Sequence, residues 1–435
     1  MLFCELFWQV SMSGLPQMLM LLLFSCGIYF AYRSLEASEE ESGSALVHSI
    51  IASLFFALLC LSHWLAVWIA VGYAVAVAVF IKPRGIAGII ALVAIILAAA
   101  LPVIQNLKVS GTPGGTAFLV LFEGLSDSEE RAMRSLSPVP LNLRALAVNV
   151  MRLMVSQTKE LYSYLGSIIA APIFFVALFH PFKRASISNF RWILLIMWAP
   201  AVLGMALFGL KDSEFSANQL HLLFGPIFGA YGLAMLSVLW SRLNFPKTTP
   251  LLGNAHLYLV WIISASPFLL RMPFDAVQAI QNREEIPPNY PPYAPSILDD
   301  SIVDYADKDE IVASDQPWAV AWYTDRRSLW LPMKLEELET IESIAESEDT
   351  PICGVLTTPI SSGTRPLFET AFYYGDYLSL MLDGWASLSS NSGNRKIVSN
   401  EDDDLKGFYS RYPYPRILIF RGAPMVFYTS RNPSS

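Results

Sequence analysis

The feature that most constrains this chain is the recurrence of apolar stretches, each about as long as a bilayer is thick. They lie near residues 15–33, 45–61, 64–81, 85–104, 162–180, 192–210, 219–241 and 255–271. A hydrocarbon core of about 30 Å takes roughly 20 residues of helix, and backbone groups left unpaired in it are too costly to tolerate. The spacing predicts a polytopic α-helical membrane domain of about eight transmembrane helices. Composition agrees. The chain is 54% hydrophobic and 15% charged, with mean hydropathy +0.44, whereas a soluble protein carries about 25% charged residues.

Charge divides the chain near Arg271. Residues up to that point hold 16 Lys and Arg against 12 Asp and Glu, and the remainder holds 13 against 25. An acidic second part stays soluble and repels phosphate backbones, so nucleic acid is excluded as a partner. Residues 1–271 are expected as the membrane domain with an outer loop at 105–161, 272–293 as a proline-rich spacer (Ile286-Pro287-Pro288 to Pro291-Pro292), and 294–435 as a soluble domain. The scattered Cys4, Cys26, Cys60 and Cys353 form neither a disulfide framework nor a C-x-x-C metal site. No metal and no cofactor is expected.

Cations orient the spans, because short cytoplasmic loops collect Lys and Arg. Lys82 and Arg84, then Lys183, Arg184 and Arg191, then Arg242 and Lys247 mark alternate loops as cytoplasmic. The loop 105–161, the loop 211–218 and everything after Met272 then lie on the opposite face. Carried back to the start, the alternation puts Met1 outside, although Met1–Leu15 has no basic region and holds Glu5, unlike a signal peptide. The expectation is a C-terminal part of a longer membrane protein; the alternative is an N-out protein as it stands. Histidines 48, 180, 221 and 256 are the titratable groups of the spans. Ion-coupled transport needs buried charge at mid-depth, so a transporter is disfavoured.

Three outer segments carry candidate binding residues. Gln105-Asn106-Leu107-Lys108 leads into the glycine-rich turn Ser110–Thr116, which lacks the Gly-Lys-Ser/Thr of a phosphate loop. In Leu141–Leu161, Arg144, Arg152 and Lys159 fall within about 80° on a helical wheel, suiting an interfacial helix that meets lipid headgroups or a phosphate-linked substrate. Asn218, Gln219 and His221 stand where a span enters the membrane, either as a helix cap or as hydrogen-bonding groups for a headgroup or sugar.

The C-terminal region alternates in period. Strands are expected at 310–315, 328–332, 351–358, 416–421 and 425–430, and helices at 294–306, 317–324, 334–346 and 366–385. That order predicts a small α/β Rossmann-like domain, without a G-x-G-x-x-G fingerprint and without any histidine. The acidic run Glu401–Asp404 lacks calcium-loop spacing and reads as solvated loop. Trp318, Trp322 and Tyr323 form an aromatic face for packing or for stacking a sugar, and Asp325-Arg326-Arg327 is either a surface charge cluster or an anion clamp.

Several of these segments taken in order resemble the GT-C superfamily of polyprenyl-phosphate-sugar glycosyltransferases, the protein O-mannosyltransferase and lipid A aminoarabinose transferase type. They are Ser13-Gly14-Leu15-Pro16 opening a helix, Pro102 followed by Asn106 and Gly111-Thr112-Pro113-Gly114, Gln219-x-His221 to Pro226, and Ser314-Asp315-Gln316-Pro317-Trp318 to Arg326. The resemblance implies inverting sugar transfer at the outer face of a bacterial inner membrane, with a periplasmic C-terminal domain. A carboxylate of the family's first outer loop serves the acceptor, while polar and cationic groups hold the leaving lipid phosphate. The expected partners are a polyprenyl-phosphate sugar donor, membrane lipids and a glycan, lipid or protein acceptor. No residue here matches the family's catalytic acid, so none is assigned. Gln219 and His221 match the polar entry position and are expected at the donor phosphate. Lys108 and Arg152 join them on charge alone, with Asn106 and Asn218 as further outer-face polar candidates. The competing expectation is a non-catalytic membrane subunit whose outer domain binds a partner in envelope assembly.

Overall fold

A computed structural model describes residues 4–115, 134–136, 142–161, 165, 169–208, 217–243, 253–282, 302–358, 374–380, 403–420 and 423–431. The chain divides into two units, Met1–Asp127 with Leu141–Tyr290, and Ser128–Pro140 with Pro291–Ser435.

The first unit is helical. Its elements are α1 (Glu5–Met12), α2 (Gln17–Glu39), α3 (Ala45–Ser62), α4 (Ala66–Phe80), α5 (Ile86–Ser110), α6 (Leu143–Lys159), α7 (Ala170–Ala177), α8 (Ala185–Leu207), α9 (His221–Ser241) and α10 (Ala255–Asn282). Among the described residues six helices are long and apolar enough to cross a membrane: α2, α3, α5, α8, α9 and the stretch Ala255–Phe274 of α10. The chain is therefore a multi-pass membrane protein. α5 has the highest mean hydropathy of the six, 2.8, yet only 28% of its most apolar stretch is buried. Ile89, Leu97 and Leu101 point outward, and a face of that kind needs hydrocarbon rather than water around it. Of the eight expected spans, the one at 64–81 appears as α4, a shorter 15-residue apolar helix, and the one at 162–180 contains the 8-residue α7.

Small residues let these helices approach closely, the usual device where lipid offers no hydrophobic drive to associate. A Cβ added at Gly232 of α9 would lie 1.6 Å from the Ala170 carbonyl oxygen, and one at Gly72 of α4 would lie 2.6 Å from the Ile196 carbonyl oxygen of α8. Around these contacts Phe24, Phe56, Phe174, Phe224 and Phe228 are fully buried, with Phe174 and Phe228 stacked at 3.9 Å. Arg191 enters α8 at its first turns and donates through Nη1 to the Ala177 carbonyl at 2.7 Å and to the His180 carbonyl. It thereby satisfies carbonyls left open where α7 ends. The helix α10 continues through the expected boundary at 271 to Asn282, so the first part of the expected spacer is helical.

The second unit is a mixed sheet between helices: β1 (Ile311–Ser314), α11 (Pro317–Thr324), β2 (Arg327–Trp330), α12 (Leu335–Ser347), β3 (Ile352–Thr357), α13 (Asp403–Arg411), β4 (Tyr414–Phe420) and β5 (Ala423–Thr429). The strand order is β2-β1-β3-β5-β4. β1, β2 and β3 are mutually parallel, while β5 runs antiparallel to both β3 and β4. Parallel strands covered on both faces read as unbroken apolar runs, and all of Ile352–Thr357 is buried. A register shift between β1 and β3 skips Cys353, so Ile352 and Val355 reach the core beneath α12 while Cys353 and Leu356 reach the opposite core with Val320 of α11. Burial pushes the Cys353 thiol up to about 12, and it stays protonated at neutral pH.

Residues 134–136, expected simply as outer loop, belong to this sheet unit. Arg134 is 3% exposed and donates to the Leu331 carbonyl at 2.6 Å and the Pro332 carbonyl at 3.4 Å, while the Met333 N–H returns a bond to its carbonyl. Glu337 Oε1 accepts from Ser135 Oγ at 3.0 Å and from the Leu136 N–H at 3.2 Å. Asp403 and Asp404, expected in a solvated loop, open α13 instead; acidic residues suit a helix N-terminus. The expected helices at 294–306 and 366–385 and the residues Glu401 and Asp402 fall largely or wholly outside the described residues.

Candidate functional site

The cations Lys82, Arg84, Lys183 and Arg184 gather where α4, α7 and α8 have their connections, and this defines a basic end of the helical unit. At the opposite end α9 begins inside the bundle, where Leu222 packs with Leu21 of α2. His221 is therefore fully buried, although it is the first residue of its helix.

His221 is held from both sides. Trp198 Nε1 of α8 lies 3.1 Å from His221 Nδ1, and Gln157 Oε1 of α6 lies 3.0 Å from His221 Nε2. An indole N–H can only donate, so Nδ1 accepts and the imidazole proton resides on Nε2. Nε2 then donates to Gln157 Oε1, which fixes the orientation of that amide. The chain of donors ends at Gln157 Nε2, an amide nitrogen with no hydrogen-bond partner among the described residues, on a residue that is fully buried. A buried donor of this kind wants an oxygen, and an anionic one best.

Local structure explains the arrangement. Asn142 caps α6 by accepting from the Ala145 N–H at 3.2 Å. The helix then turns an apolar stripe of Leu146, Val150, Leu153 and Met154 inward, with Gln157 continuing it at helical spacing. Gln219 is 4% exposed and Asn218 half-buried on the approach to α9, where the Leu220 N–H meets Met205 Sδ at 3.1 Å.

The structure thus brings Gln219 and His221 to one end of the bundle and adds Gln157 and Trp198, which sequence reasoning missed. Gln157 was visible in principle as the polar break in the apolar stripe of α6; nothing in the sequence marks Trp198. Arg152 is exposed on α6, about 140° around the helix from Gln157. It faces away from His221. Lys108 is exposed in the last turn of α5, where a cation suits the helix dipole. Asn106 is half-buried and donates to the Pro113 carbonyl at 3.5 Å, folding the glycine-rich turn back on the helix. No cluster of three metal-ligating side chains occurs among the described residues.

In the sheet unit the crevice where the chain reverses direction lies at the carboxyl ends of β1 and β3, the place where open α/β sheets bind ligands. Here the protein fills it with its own side chains. Buried Asp315 accepts from the Thr358 N–H at 2.9 Å and Thr358 Oγ1 at 2.8 Å, and Tyr374 donates to the Thr358 carbonyl. The Asp325-Arg326-Arg327 group is a surface cluster. Arg326 donates to the Ala306 carbonyl, Asp325 pairs with Lys308 and Arg327 with Asp309. Trp322 is 83% exposed, and Trp318, 49% exposed, packs edge-on against Trp330 at 4.9 Å.

Compared with known proteins, the chain matches no protein-family model, no curated protein and no solved structure.

Proposed function

We propose that this chain takes part in moving a sugar from a polyprenyl-phosphate donor to an acceptor at the membrane face opposite the basic end, the periplasmic face of a bacterial inner membrane. The observation that carries the reading is the buried Trp198–His221–Gln157 chain ending in an unmet amide donor. Such a donor can take a phosphate oxygen as the glycosidic bond breaks and charge collects on the leaving phosphate. Gln219 stands beside it in sequence, and no carboxylate is assigned as the base on the acceptor. The chemistry asks for position and neutral donors more than for a tuned acid, because a phosphate ester departs readily.

The reading takes the chain to cross the membrane eight times. Residues 134–136 fold in the same unit as 302–358, so both stretches lie on one membrane face and an even number of crossings separates them. Among the described residues three qualifying helices intervene, α8, α9 and α10; the reading takes α7 as part of a fourth crossing. With α2, α3, α4 and α5 the total is eight. Thiol labelling of sealed vesicles tests it: a cysteine at Arg84 and one at Lys308 should react from opposite sides.

The functional test is binding and turnover of polyprenyl-phosphate sugar by the full chain in nanodiscs. His221→Phe and Gln157→Met should weaken donor binding about tenfold or more while Lys108→Ala leaves it unchanged. Equal binding by all three variants and the parent removes the site. A second reading, a partner-binding subunit without turnover, is favoured by the exposed Trp318 and Trp322. For that reading Trp322→Ala should abolish partner capture and His221→Phe should not.

A further inference from the structure

A second site lies toward the other end of the helical unit, and it does not depend on the transferase reading. A cavity of about 630 Å³ runs between α2, α8 and α9. Phe24, Ile28 and Tyr32 form one wall and Leu223, Ile227 and Tyr231 another, with Phe182, Ile187 and Phe190 closing it toward the basic end. The volume is that of an ordinary small-molecule site. Its surroundings are not ordinary: every wall belongs to an apolar helix or its immediate flank. Ala230, Ala234 and Tyr29 line it and are themselves exposed, so the groove opens sideways to the surface that faces lipid. From Leu223 to Ala234 the helix rises roughly 16 Å, about the depth of one leaflet of a 30 Å hydrocarbon core.

Apart from the Ser25 hydroxyl beside Phe24 and that of Tyr29 on the open side, polarity gathers at one end. Tyr231 donates to the Ile187 carbonyl at 2.8 Å, and the Tyr32 hydroxyl lies 3.5 Å from Ser186 Oγ. Phe182 and Ile187, both lining residues, bracket Lys183 and Arg184, which are exposed and enter no ion pair among the described residues. The Arg191 guanidinium lies 5.4 Å over the Phe182 ring and is bonded to carbonyls and a hydroxyl. Of the acids at this end, Glu36 pairs with Arg33 at 2.8 Å, Glu41 with Lys82 at 3.2 Å, and Glu39 accepts from Asn189 at 2.8 Å, while Glu40 is exposed to solvent. The groove is thus one leaflet deep, apolar along its length and cationic at its foot.

We propose that this groove holds an acyl chain of an anionic membrane lipid, drawn from the leaflet at the basic end, with the lipid phosphate at Lys183 and Arg184. Hydrocarbon fills the apolar walls, and the two cations select the headgroup by charge.

The test uses the full chain reconstituted in nanodiscs of equal phosphatidylglycerol and phosphatidylcholine, then extracted in mild detergent and weighed with its retained lipids by native mass spectrometry. The parent should retain phosphatidylglycerol several-fold over phosphatidylcholine. Lys183→Gln with Arg184→Gln should erase that preference, a loss of up to about 30-fold for two interfacial cations. Ala230→Trp with Ala234→Trp fills the groove from its open side and should remove retention of both lipids; the single Ala234→Phe serves if the double variant does not fold. The proposal fails if the parent retains the two lipids equally, or if the groove-filling variant keeps as much phosphatidylglycerol as the parent. It also fails if a photo-reactive residue at position 234 traps a polypeptide instead of a lipid.

Discussion

The two units match their polar side chains in different ways. In the helical unit a buried polar group meets a neutral one: Trp198 with His221 with Gln157, His256 with Ser237 at 3.0 Å, Arg191 with helix-end carbonyls. In the sheet unit buried Arg134 and Asp315 also meet neutral groups, but nearer the surface charge meets charge. Arg431 pairs with Asp307 at 2.8 Å and Glu310 at 2.6 Å, a hydrogen bond that raises the pKa of its guanidinium, and Arg411 pairs with Glu339 and Glu342, each at 2.9 Å. The difference follows from the solvent each unit faces. An ion pair opened during a fluctuation can hydrate in water, whereas in hydrocarbon it is stranded at a cost of several kcal/mol. Cohesion in the helical unit therefore comes from close backbone approach and neutral hydrogen bonds.

Breaking that close approach should give the largest effect. Gly232→Leu places side-chain atoms inside van der Waals contact with the Ala170 main chain, which cannot yield as a side-chain tip would. A loss above about 3 kcal/mol is expected, read as failure to recover monodisperse protein after detergent extraction. In the sheet unit the matching change is Arg134→Met. It strands the Leu331 and Pro332 carbonyls at a cost of about 2–3 kcal/mol. Hydrogen exchange should accelerate in 327–337, and protease should cut within 128–140, while the melting of the helical unit stays put. Joint loss of both units would erase the contrast drawn above.

How much of this was legible in the sequence follows the same line. Periods of apolar residues gave the long apolar helices of the first unit, because that signal is local. β1, β2 and β3 and the helices α11 and α12 fell within two residues of expectation for the same reason. Strand direction did not show, since antiparallel β5 and parallel β3 carry equally apolar runs. The capture of Arg134 by the sheet unit was invisible, because its partners are backbone carbonyls about two hundred residues away. At the candidate site His221 and Gln219 were readable from their place at a span entry. Lys108 and Arg152 were chosen on charge, a property that says nothing about which way a helix turns its face.

Within the helical unit a smaller effect tests the neutral hydrogen-bond chain itself. Trp198→Phe keeps an aromatic ring beside Phe175 and Phe228 but removes the donor to His221 Nδ1. The cost should be about 1–2 kcal/mol, seen as a lowered unfolding midpoint. The free Nδ1 also lets the imidazole proton move onto it, which turns Nε2 into an acceptor that can no longer hold Gln157 Oε1, so donor binding should weaken in the variant.

The smallest expected effect lies in the sheet unit and asks whether its charges stabilise or merely tolerate one another. Burial pushes the Glu342 carboxyl above its ordinary value near 4.5, against the opposing pull of the Tyr412 hydrogen bond and of Arg411. A folded-state value above the unfolded one means that the folded protein binds more protons in the interval between them. Stability from this group is then present below the ordinary value and declines as pH rises through the raised one. Glu342→Gln keeps an acceptor for Tyr412, whose hydroxyl lies 2.7 Å from Oε1, and removes the titration. Exchange protection across Leu335–Ser347 should therefore fall in the parent as pH rises from 4 to 7 and stay level in the variant. A parent whose protection rises over that range would mean that Arg411 outweighs burial, and that charge in this unit actively holds α12 and α13 together.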